Sequence, residues 1–411
     1  MGELRTFEKV RGFTRLEDGV TAPAGFQGAA TSAGVKLGLN RPDLAVIVAD
    51  EPCVAQGLFT RSRVVAAPVI LSRERLIDGR AQGIVINSGN ANACTGPVGM
   101  EAARAMADGA ARHLKIDPDL MLVASTGVIG VPLPIERVLL GIRDLQPSKA
   151  GGHAAARAIM TTDRVAKEIA LVGQIDGRRV LVGGMAKGSG MIHPQMATML
   201  AVLTTDAALE PTFARQVLKR VGDATFNQVS VDRDTSTNDS LVLFASGAAG
   251  GPPITAGSRS SAQFTALLES ASVALTRMIA QDGEGASRLI EVVVEGARSS
   301  AAARRVAREV VASNLVKTAV FGRDPNWGRI MMAMGNAGVP LDPDRVEIHI
   351  GDQQVARDGA PCPFDAAAVA DLLGADEVQI RIGLNQGGSR GLAWGCDLTE
   401  EYVKINAEYT T

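Results

Sequence analysis

A lone threonine, Thr198, stands at the start of an apolar run and directly after a flexible turn. The stretch KGSGMIHPQMATML (residues 187–200) builds that turn from glycines and Pro194. A threonine hydroxyl is a poor nucleophile unless a base lies beside it. The threonine's own α-amine, whose pKa is about 7.7–8, can be that base only when the threonine is the first residue of a chain. The bond between Ala197 and Thr198 would therefore have to be cut before Thr198 could act.

The chain itself could make this cut. The Thr198 hydroxyl would attack the carbonyl of Ala197, the amide would become an ester, and water would open the ester. A glycine-containing turn before the bond helps to hold the peptide in the conformation that this attack needs. The other interpretation is structural, because a threonine in a strand such as MATML (residues 196–200) usually packs in the core.

A second glycine-rich turn offers groups that could stabilise negative charge. In ASTGVIG (residues 124–130), Thr126 and Gly127 are placed just past the end of a predicted strand. The backbone N–H groups of such a turn, with the Thr126 hydroxyl, can point at a developing oxyanion. A plain strand–loop–helix connection would explain the same residues. The polar segment INSGNANACTG (residues 86–96) also has two interpretations, since its side-chain amides could brace a loop or the segment could simply form turns.

Composition and charge exclude several classes of protein. The chain has 411 residues, which suggests two or three domains, and its net charge is −2, so no basic field attracts nucleic acid. No apolar run reaches eighteen residues, and we expect no membrane span. The four cysteines form no C-x-x-C pair, which favours reduced thiols in a cytoplasmic protein.

Other familiar motifs are missing or lack their context. The histidines form no ligand-spaced set, so we expect no metal site, and there is no nucleotide-binding glycine motif. GGSRG (residues 387–391) matches G-x-S-x-G, but a strand-like segment follows it where a hydrolase needs a helix. We therefore do not expect Ser389 to be a nucleophile.

The predicted elements indicate a layered α+β protein, because strands and helices alternate without a strict βαβ rhythm. Residues 168–186 read as a hairpin that turns at Asp176 and Gly177. The predicted strands include residues 44–50, 83–88, 120–126, 240–246, 287–297, 345–351, 377–384 and 401–411. The predicted helices include residues 97–114, 151–160, 211–225, 263–282, 301–313 and 326–338.

Eight motifs, in order along the chain, carry a resemblance. They are INSGNANACTG, STGVIG, AIMTTD, GGMAKGSGMIHPQMATML, VDRDTSTNDS, QDGEGASRLIEV, SNLVKTAVFGRDPNWGRI and YVKINAEYTT. Together they resemble the ornithine acetyltransferase family of arginine biosynthesis, some of whose members also act as N-acetylglutamate synthases. The resemblance covers nearly the whole chain.

The resemblance implies a precursor that cleaves itself before Thr198. Residues 1–197 would form an α chain and residues 198–411 a β chain, assembled in the cytoplasm as an α2β2 heterotetramer. It also implies a four-layer α-β-β-α sandwich of the amino-terminal-nucleophile type, with its own connectivity, up to about residue 285. A smaller C-terminal α/β domain would follow, with a tail that returns to the site.

The resemblance also implies roles for individual residues. Thr198 matches the nucleophile, and Thr126 and Gly127 match the oxyanion hole. Lys187 would hold a substrate carboxylate and Glu284 would meet a substrate ammonium. The implied substrate-binding positions are Thr161, Thr162, Lys187, Thr198, Glu284, Asn406 and Thr411, with the choice between the first two left open.

The implied reaction moves an acetyl group from N2-acetyl-L-ornithine to L-glutamate through an acetyl-threonine intermediate, without a cofactor or metal. Whether acetyl-CoA also serves as a donor stays open. The alternatives are an amino-terminal-threonine amidohydrolase or aminopeptidase, and a non-catalytic amino-acid-binding protein of the same fold. His193, Arg233 and Arg288 depart from the family pattern, and His193 is a weaker candidate for the base because a loop histidine is usually solvated.

Overall fold

A computed structural model describes residues 12–36, 41–193 and 199–408. Its strands are β1 (Thr14–Arg15), β2 (Phe26–Thr31), β3 (Leu44–Phe59), β4 (Arg80–Asn90), β5 (Met121–Val128), β6 (Lys167–Ile175), β7 (Arg178–Lys187), β8 (Leu200–Thr205), β9 (Val229–Ser230), β10 (Ser240–Ala245), β11 (Leu289–Ala297), β12 (Glu347–Ile350), β13 (Gln353–Arg357), β14 (Ala360–Pro361), β15 (Glu377–Gly383) and β16 (Ser389–Cys396). Its helices are α1 (Ala67–Arg75), α2 (Gly96–Leu114), α3 (Ile135–Ile142), α4 (Gly152–Ala158), α5 (Pro211–Ala224), α6 (Arg259–Gln281), α7 (Ser300–Ala312), α8 (Asn314–Gly322), α9 (Trp327–Gly335), α10 (Ala366–Leu373) and α11 (Glu400–Glu408).

The long strand β3 joins two layers of one sheet. The strand order is β1-β6-β7-β8-β10-β3-β4-β5, and β2 also pairs with β3. The first part of β3 pairs with β2 and β4, whereas its last six residues pair with β10. The β3–β4 register shifts between Val48 and Cys53, which is where the strand changes partners. Irregularities of this kind bend a strand, so one sheet can supply both inner layers of a sandwich.

Apolar side chains from the two halves of this sheet share one core. Ile47 and Ile84 from β3 and β4 cluster with Val202 and Phe244 from β8 and β10. Helices α1, α2 and α3 cover the outer face of the β3–β4–β5 half, and helices α5 and α6 cover the outer face of the β6–β7–β8–β10 half. The predicted four-layer α-β-β-α sandwich is therefore confirmed.

A second sheet forms the C-terminal part, with the order β14-β13-β12-β15-β11-β16-β9. Helices α7 and α9 pack on it through an apolar cluster of their own. The short strand β9 precedes the rest of this sheet in sequence and ties it to the sandwich, because Val229 pairs with Trp394 of β16. The division of the chain after residue 197 falls outside the described residues and stays a prediction.

Two segments differ from the sequence predictions, and a third observation tests the G-x-S-x-G match. Residues 401–411 were predicted to be a strand, but Glu400–Glu408 forms helix α11, and residues 409–411 lie outside the described part. Acidic residues in its first turn favour a helix, and none of its residues is buried as a sheet strand would require. Thr126 and Gly127 lie within the last residues of β5 rather than beyond it. Ser389 opens strand β16, which removes the strand–turn–helix context of a hydrolase nucleophile.

The hairpin predicted for residues 168–186 is confirmed. β6 and β7 form the predicted hairpin, and Asp176 (φ 47°) with Gly177 (φ 76°) supplies the two left-handed turn residues that a two-residue hairpin needs. All four cysteines are free thiols. Among the described residues, no helix has the length and apolar character to cross a bilayer.

Candidate active site

One cavity gathers the predicted site residues that the structure describes. Its walls include seven of them, Thr126, Gly127, Thr161, Thr162, Lys187, Glu284 and Asn406. They come from the end of β5, the loop after α4, the end of β7, the loop after α6 and helix α11. Segments far apart in sequence thus meet at one place, although the chemical role of each residue stays a prediction.

In the sequence, the predicted nucleophile directly precedes two residues that line this cavity. Ala197, Thr198 and Thr411 lie outside the described residues. Met199 and Leu200, which follow Thr198 directly, line the cavity. Leu200 opens the buried strand β8 and pairs with Lys187 of β7. The first residues of β8 and the residue before them therefore lie on the cavity side.

Gly127 is at a position that only glycine can occupy without strain. Its φ is 133°, and a Cβ there would overlap the backbone atoms of Gly89 and Asn90 on the neighbouring strand β4. The β4–β5 register pairs Gly89 with Gly127 and becomes irregular at Asn90. This close approach leaves the backbone at Gly127 on the cavity wall, as a backbone N–H donor to an oxyanion requires.

The Thr126 hydroxyl is positioned by Lys187. The Lys187 ammonium donates a hydrogen bond to Thr126 Oγ1 at 3.4 Å. Because the hydroxyl oxygen accepts this bond, its own hydrogen remains available for a donor role toward the cavity. Burial, with a smaller contribution from the charge of Lys167, lowers the pKa of Lys187, while Asp163, Glu284 and Asp239 oppose that shift.

Side-chain amides brace the ends of the strands at the cavity. Asn87 donates from Nδ2 to the carbonyl of Asn90 at 2.8 Å and accepts the Ser125 hydroxyl at 2.6 Å. Asn238 Nδ2 donates to the carbonyls of Ala91 at 2.6 Å and Ser125 at 2.9 Å. The amides of Asn87 and Asn238 therefore hold β4, β5 and the segment before β10 together. Asn87 belongs to the motif of residues 86–96, so an amide of that motif does brace the local backbone, which decides an alternative that the sequence left open.

A buried ion cluster fixes three of the wall segments. Lys167 Nζ lies 2.6 Å from Asp163 Oδ1 and 2.7 Å from Asp282 Oδ2, and all three side chains are almost fully buried. Asp163 also accepts the backbone N–H groups of Thr161 at 2.9 Å and Gly188 at 2.7 Å. Lys167 thereby holds Asp163 in place. Asp163 in turn positions the loop that carries the two candidate threonines and the loop that follows Lys187.

The same cluster reaches the acidic wall of the cavity. The Ser189 hydroxyl donates to the carbonyl of Asp282 at 2.6 Å, and the Glu284 backbone N–H donates to the carbonyl of Ser189 at 2.9 Å. Asn406 on α11 donates from Nδ2 to Glu284 Oε2 at 2.9 Å. Gly190 leaves room for this carboxylate, since a Cβ there would overlap it. Glu284 and Asn406 thus form one polar unit.

The three positions that depart from the family pattern lie outside the described cavity lining. His193 Nδ1 lies 3.0 Å from the Ser230 hydroxyl, and burial, followed by the charges of Arg308 and Arg233, lowers the pKa of His193 to about 3. Arg233 has a φ of 71°, in the left-handed region that glycine adopts more readily than other residues. Arg288 contacts Asp397 at 3.3 Å.

The sequence predictions missed four polar wall residues. Within the motif VDRDTSTNDS, Ser236, Thr237, Asn238 and Asp239 line the cavity just before β10. The available signal was a group of polar residues immediately before a buried strand. The described residues contain no group of three or more His, Cys, Asp or Glu side chains placed to hold a metal ion.

Comparison with known proteins places the chain beside arginine-biosynthesis proteins. The pattern of the ArgJ family matches residues 27–411. The chain is 50% identical over 399 residues to the Arginine biosynthesis bifunctional protein ArgJ of Symbiobacterium thermophilum, covering 96% of this chain and 99% of that protein.

Two solved structures resemble parts of the chain. One is the Arginine biosynthesis bifunctional protein argJ of Bacillus halodurans, with a TM-score of 0.49 and 42% identity, covering 51% of this chain and 98% of that chain. The other is the Ornithine Acetyltransferase complexed with Ornithine of Mycobacterium tuberculosis, with a TM-score of 0.42 and 40% identity, covering 46% of this chain and 100% of that chain.

Proposed function

Because the chain belongs to the ArgJ family, we propose that it transfers the acetyl group of N2-acetyl-L-ornithine to L-glutamate. The observation that carries this proposal is the single cavity that holds Thr126, Gly127, Lys187 and Glu284 beside the residues that follow Thr198. The wall combines donors for an oxyanion with both signs of charge. An N-acetylated amino acid carries the matching groups, namely a carbonyl oxygen, a carboxylate and, in ornithine, an ammonium.

In the first half of the reaction, Thr198 Oγ attacks the acetyl carbonyl, and its proton passes to the α-amine of Thr198. The Thr126 hydroxyl and the Gly127 N–H stabilise the oxyanion of the tetrahedral intermediate. Collapse of that intermediate breaks the amide bond, and the departing ornithine nitrogen takes the proton back. The glutamate amine then attacks the acetyl-threonine ester and reverses these steps, which yields N-acetyl-L-glutamate.

The charged wall residues explain how a small amino acid could be oriented. A substrate carboxylate beside Lys187 would favour the charged form of this lysine and offset the effect of its burial. Glu284, one of whose carboxylate oxygens accepts a hydrogen bond from Asn406, would accept a substrate ammonium. A filled cavity also keeps water from the ester, which separates a transferase from a hydrolase.

Denaturing mass spectrometry of active protein tests the cleavage directly. We expect two pieces, residues 1–197 and 198–411, and one intact chain without transfer activity for Thr198→Ala. Active wild-type protein that consists of one uncut chain would contradict the mechanism. Acetate release from acetylornithine, measured with and without glutamate, distinguishes the hydrolase: a hydrolase releases acetate at the same rate in both.

The proposal includes the assembly and the choice of donor. We infer that the two pieces assemble as an α2β2 heterotetramer in the cytoplasm and that the transfer needs no cofactor. Native mass spectrometry measures the first, and activity after treatment with a chelator measures the second. Steady-state rates with acetyl-CoA and glutamate decide whether acetyl-CoA is a second acetyl donor.

A further inference from the structure

The Asp232 carboxylate holds a short segment of the cavity wall by its backbone. Asp232 Oδ2 accepts the N–H of Met191 at 2.6 Å, and Asp232 Oδ1 accepts the N–H of Ile192 at 2.8 Å. Gly190, Met191 and Ile192, called the 190–192 turn below, all line the cavity, whereas Asp232 lies outside the described lining. The acetyl-transfer steps give Asp232 no role, although it contacts the cavity wall directly.

The 190–192 turn contains a residue in an unfavourable backbone conformation. Met191 has a φ of 56°, in the left-handed region that residues other than glycine rarely adopt. Such a conformation persists only where the surrounding structure holds it, and it occurs often at functional sites. The two hydrogen bonds to Asp232 come from the peptide units on either side of Met191. Asp232 therefore holds this conformation from both sides.

Neighbours of Asp232 hold the end of the same turn. The Val231 N–H donates to the carbonyl of Ile192 at 2.7 Å, and the Thr235 hydroxyl donates to the carbonyl of His193 at 2.8 Å. These contacts fix carbonyl groups, whereas Asp232 binds N–H groups. Because a carboxylate has two acceptor oxygens, Asp232 can serve two adjacent N–H groups at once.

The 190–192 turn lies against the carboxylate of Glu284. A Cβ at Gly190 would lie 2.3 Å from Glu284 Cδ, Oε1 and Oε2, so the carboxylate occupies the space that a side chain at position 190 would take. The Glu284 backbone is bound to the residue before the turn, because its N–H donates to the carbonyl of Ser189 at 2.9 Å. The place of the Glu284 carboxylate thus depends on where the turn holds Gly190.

Resting on the proposed function, in which Glu284 meets the substrate ammonium, we propose that Asp232 is a positioning residue for recognition of that ammonium. It acts through the 190–192 turn, which determines where the Glu284 carboxylate lies. A hydrogen bond between a carboxylate and an ammonium weakens when its distance or angle departs from the ideal. Asp232 therefore contributes to the preference for a donor with a cationic side chain, and not to the acetyl chemistry itself.

The test compares two acetyl donors in transfer to L-glutamate. N2-acetyl-L-norvaline has the carbon chain of N2-acetyl-L-ornithine but lacks the terminal ammonium, and its slower reaction is followed at higher enzyme concentration. The measured quantity is the ratio of kcat/KM for acetylornithine to kcat/KM for acetylnorvaline. This ratio does not depend on the fraction of active protein. A variant that is merely less stable, or less completely cleaved, lowers both rates together and leaves the ratio unchanged.

Asp232→Asn keeps the shape of the side chain but turns an NH2 group toward one of the two backbone N–H groups. We expect the ratio to fall about 3- to 10-fold, while kcat/KM for acetylnorvaline changes by less than about 2-fold. The matched control is Asp234→Asn, which removes an equal charge from an exposed position two residues along the chain. We expect this control to keep the wild-type ratio.

A double variant shows whether Asp232 acts through Glu284. In a Glu284→Gln background the charge that reads the ammonium is gone, so adding Asp232→Asn should leave the ratio where Glu284→Gln put it. Gly190→Ala tests the same contact without touching Asp232, and it serves where Asp232→Asn does not fold. Its methyl group would displace the Glu284 carboxylate, and we expect a comparable fall in the ratio.

Three results overturn the proposal. They are an unchanged ratio in Asp232→Asn or in Gly190→Ala, an equal loss of activity toward both donors in Asp232→Asn, and a further fall in the ratio when Asp232→Asn is added to Glu284→Gln. Failure of the proposed function looks different. Wild-type protein that does not transfer the acetyl group of acetylornithine, or that does not prefer acetylornithine to acetylnorvaline, overturns the proposed function instead.

Discussion

Lys167 and Asp282 are 115 residues apart in the chain, yet the Lys167 ammonium lies 2.7 Å from a carboxylate oxygen of Asp282 in the interior. Lys167 begins strand β6, and Asp282 follows helix α6. This ion pair therefore connects the sheet to the loop that carries Glu284. Asp163 shares the same ammonium and extends the connection to Thr161.

Replacing Lys167 should be among the most destabilising single changes near the site. Lys167→Met leaves the carboxylates of Asp163 and Asp282 buried without their shared counter-charge, and we expect a loss of about 3–5 kcal/mol in the free energy of unfolding. Lys219→Met removes an exposed pair with Asp223 and should cost about 0.5 kcal/mol or less. Urea denaturation measures both, and equal losses would contradict the importance of the buried cluster.

The cluster also predicts a loss of stability in acid. Burial alone would raise the pKa of Asp163, but the charges of Lys167 and Lys187 and the bonds from Lys167 and Thr161 lower it overall. A folded-state pKa below the unfolded value of about 3.9 means that this stabilisation is present above pH 4 and is lost as the pH falls further. Thermal melting between pH 6 and pH 2 should show a weaker acid dependence for Asp163→Asn.

Gly127→Ala should impair both folding and transfer. An alanine Cβ would meet the backbone of Gly89 and Asn90, and φ at this position is unfavourable for any L side chain. We expect a loss of at least about 2 kcal/mol of stability and a shifted β4–β5 register. Gly388→Ala, at a position with open space, is the control and should change the stability by less than about 0.5 kcal/mol.

Glu284→Gln should separate binding from folding. The amide keeps the shape of the side chain but loses the charge that would meet a substrate ammonium, so we expect kcat/KM for acetylornithine to fall by about 10–100-fold. Self-cleavage and melting temperature should remain those of the wild type. Glu295→Gln removes an exposed carboxylate in the C-terminal sheet and provides the matched control. A similar loss of activity in both variants would argue against a binding role for Glu284.

His193 should not titrate in the working range of the enzyme. Its pKa of about 3 keeps the imidazole neutral above pH 5, so His193→Gln should leave the pH dependence of kcat/KM unchanged between pH 5 and 9. The unfolded chain binds a proton at this residue below about pH 6.5, whereas the folded chain does not. Folding is therefore weakened as the pH falls from 6.5 toward 3, and His193→Gln should flatten this part of a stability curve.

Local patterns predicted most elements of the fold. Asp176 and Gly177 marked their hairpin because a two-residue turn needs left-handed residues, and the proline at the start of α2 marked that helix. The C-terminal helix was misread because alternating residues in YVKINAE suit an exposed helix as well as a strand. The bend in β3 was not predicted, because it depends on which strands lie beside it.

The ordered motifs predicted the family, which the comparisons confirm, and the structure gathers the described site residues at one cavity. Single residues such as Lys187 could be chosen only through the resemblance, since a lysine at a strand end has no distinctive sequence pattern. Asp239 was missed for a physical reason. Its burial and its approach to Lys187 come from neighbouring strands, and the local sequence shows only an aspartate among polar residues.

The strand order of the first sheet determines whether the two pieces of a cleaved chain could separate and refold. β7 pairs with β8 across the cleavage point, and β10 pairs with the much earlier strand β3, so the segments before and after residue 197 are interleaved in one hydrogen-bonded sheet. Dilution cannot separate such pieces without unfolding the sandwich. Once unfolded, they must find each other as two molecules, which the uncut chain never had to do. Cleaved protein would therefore owe its persistence to a slow rate of unfolding rather than to an ability to refold.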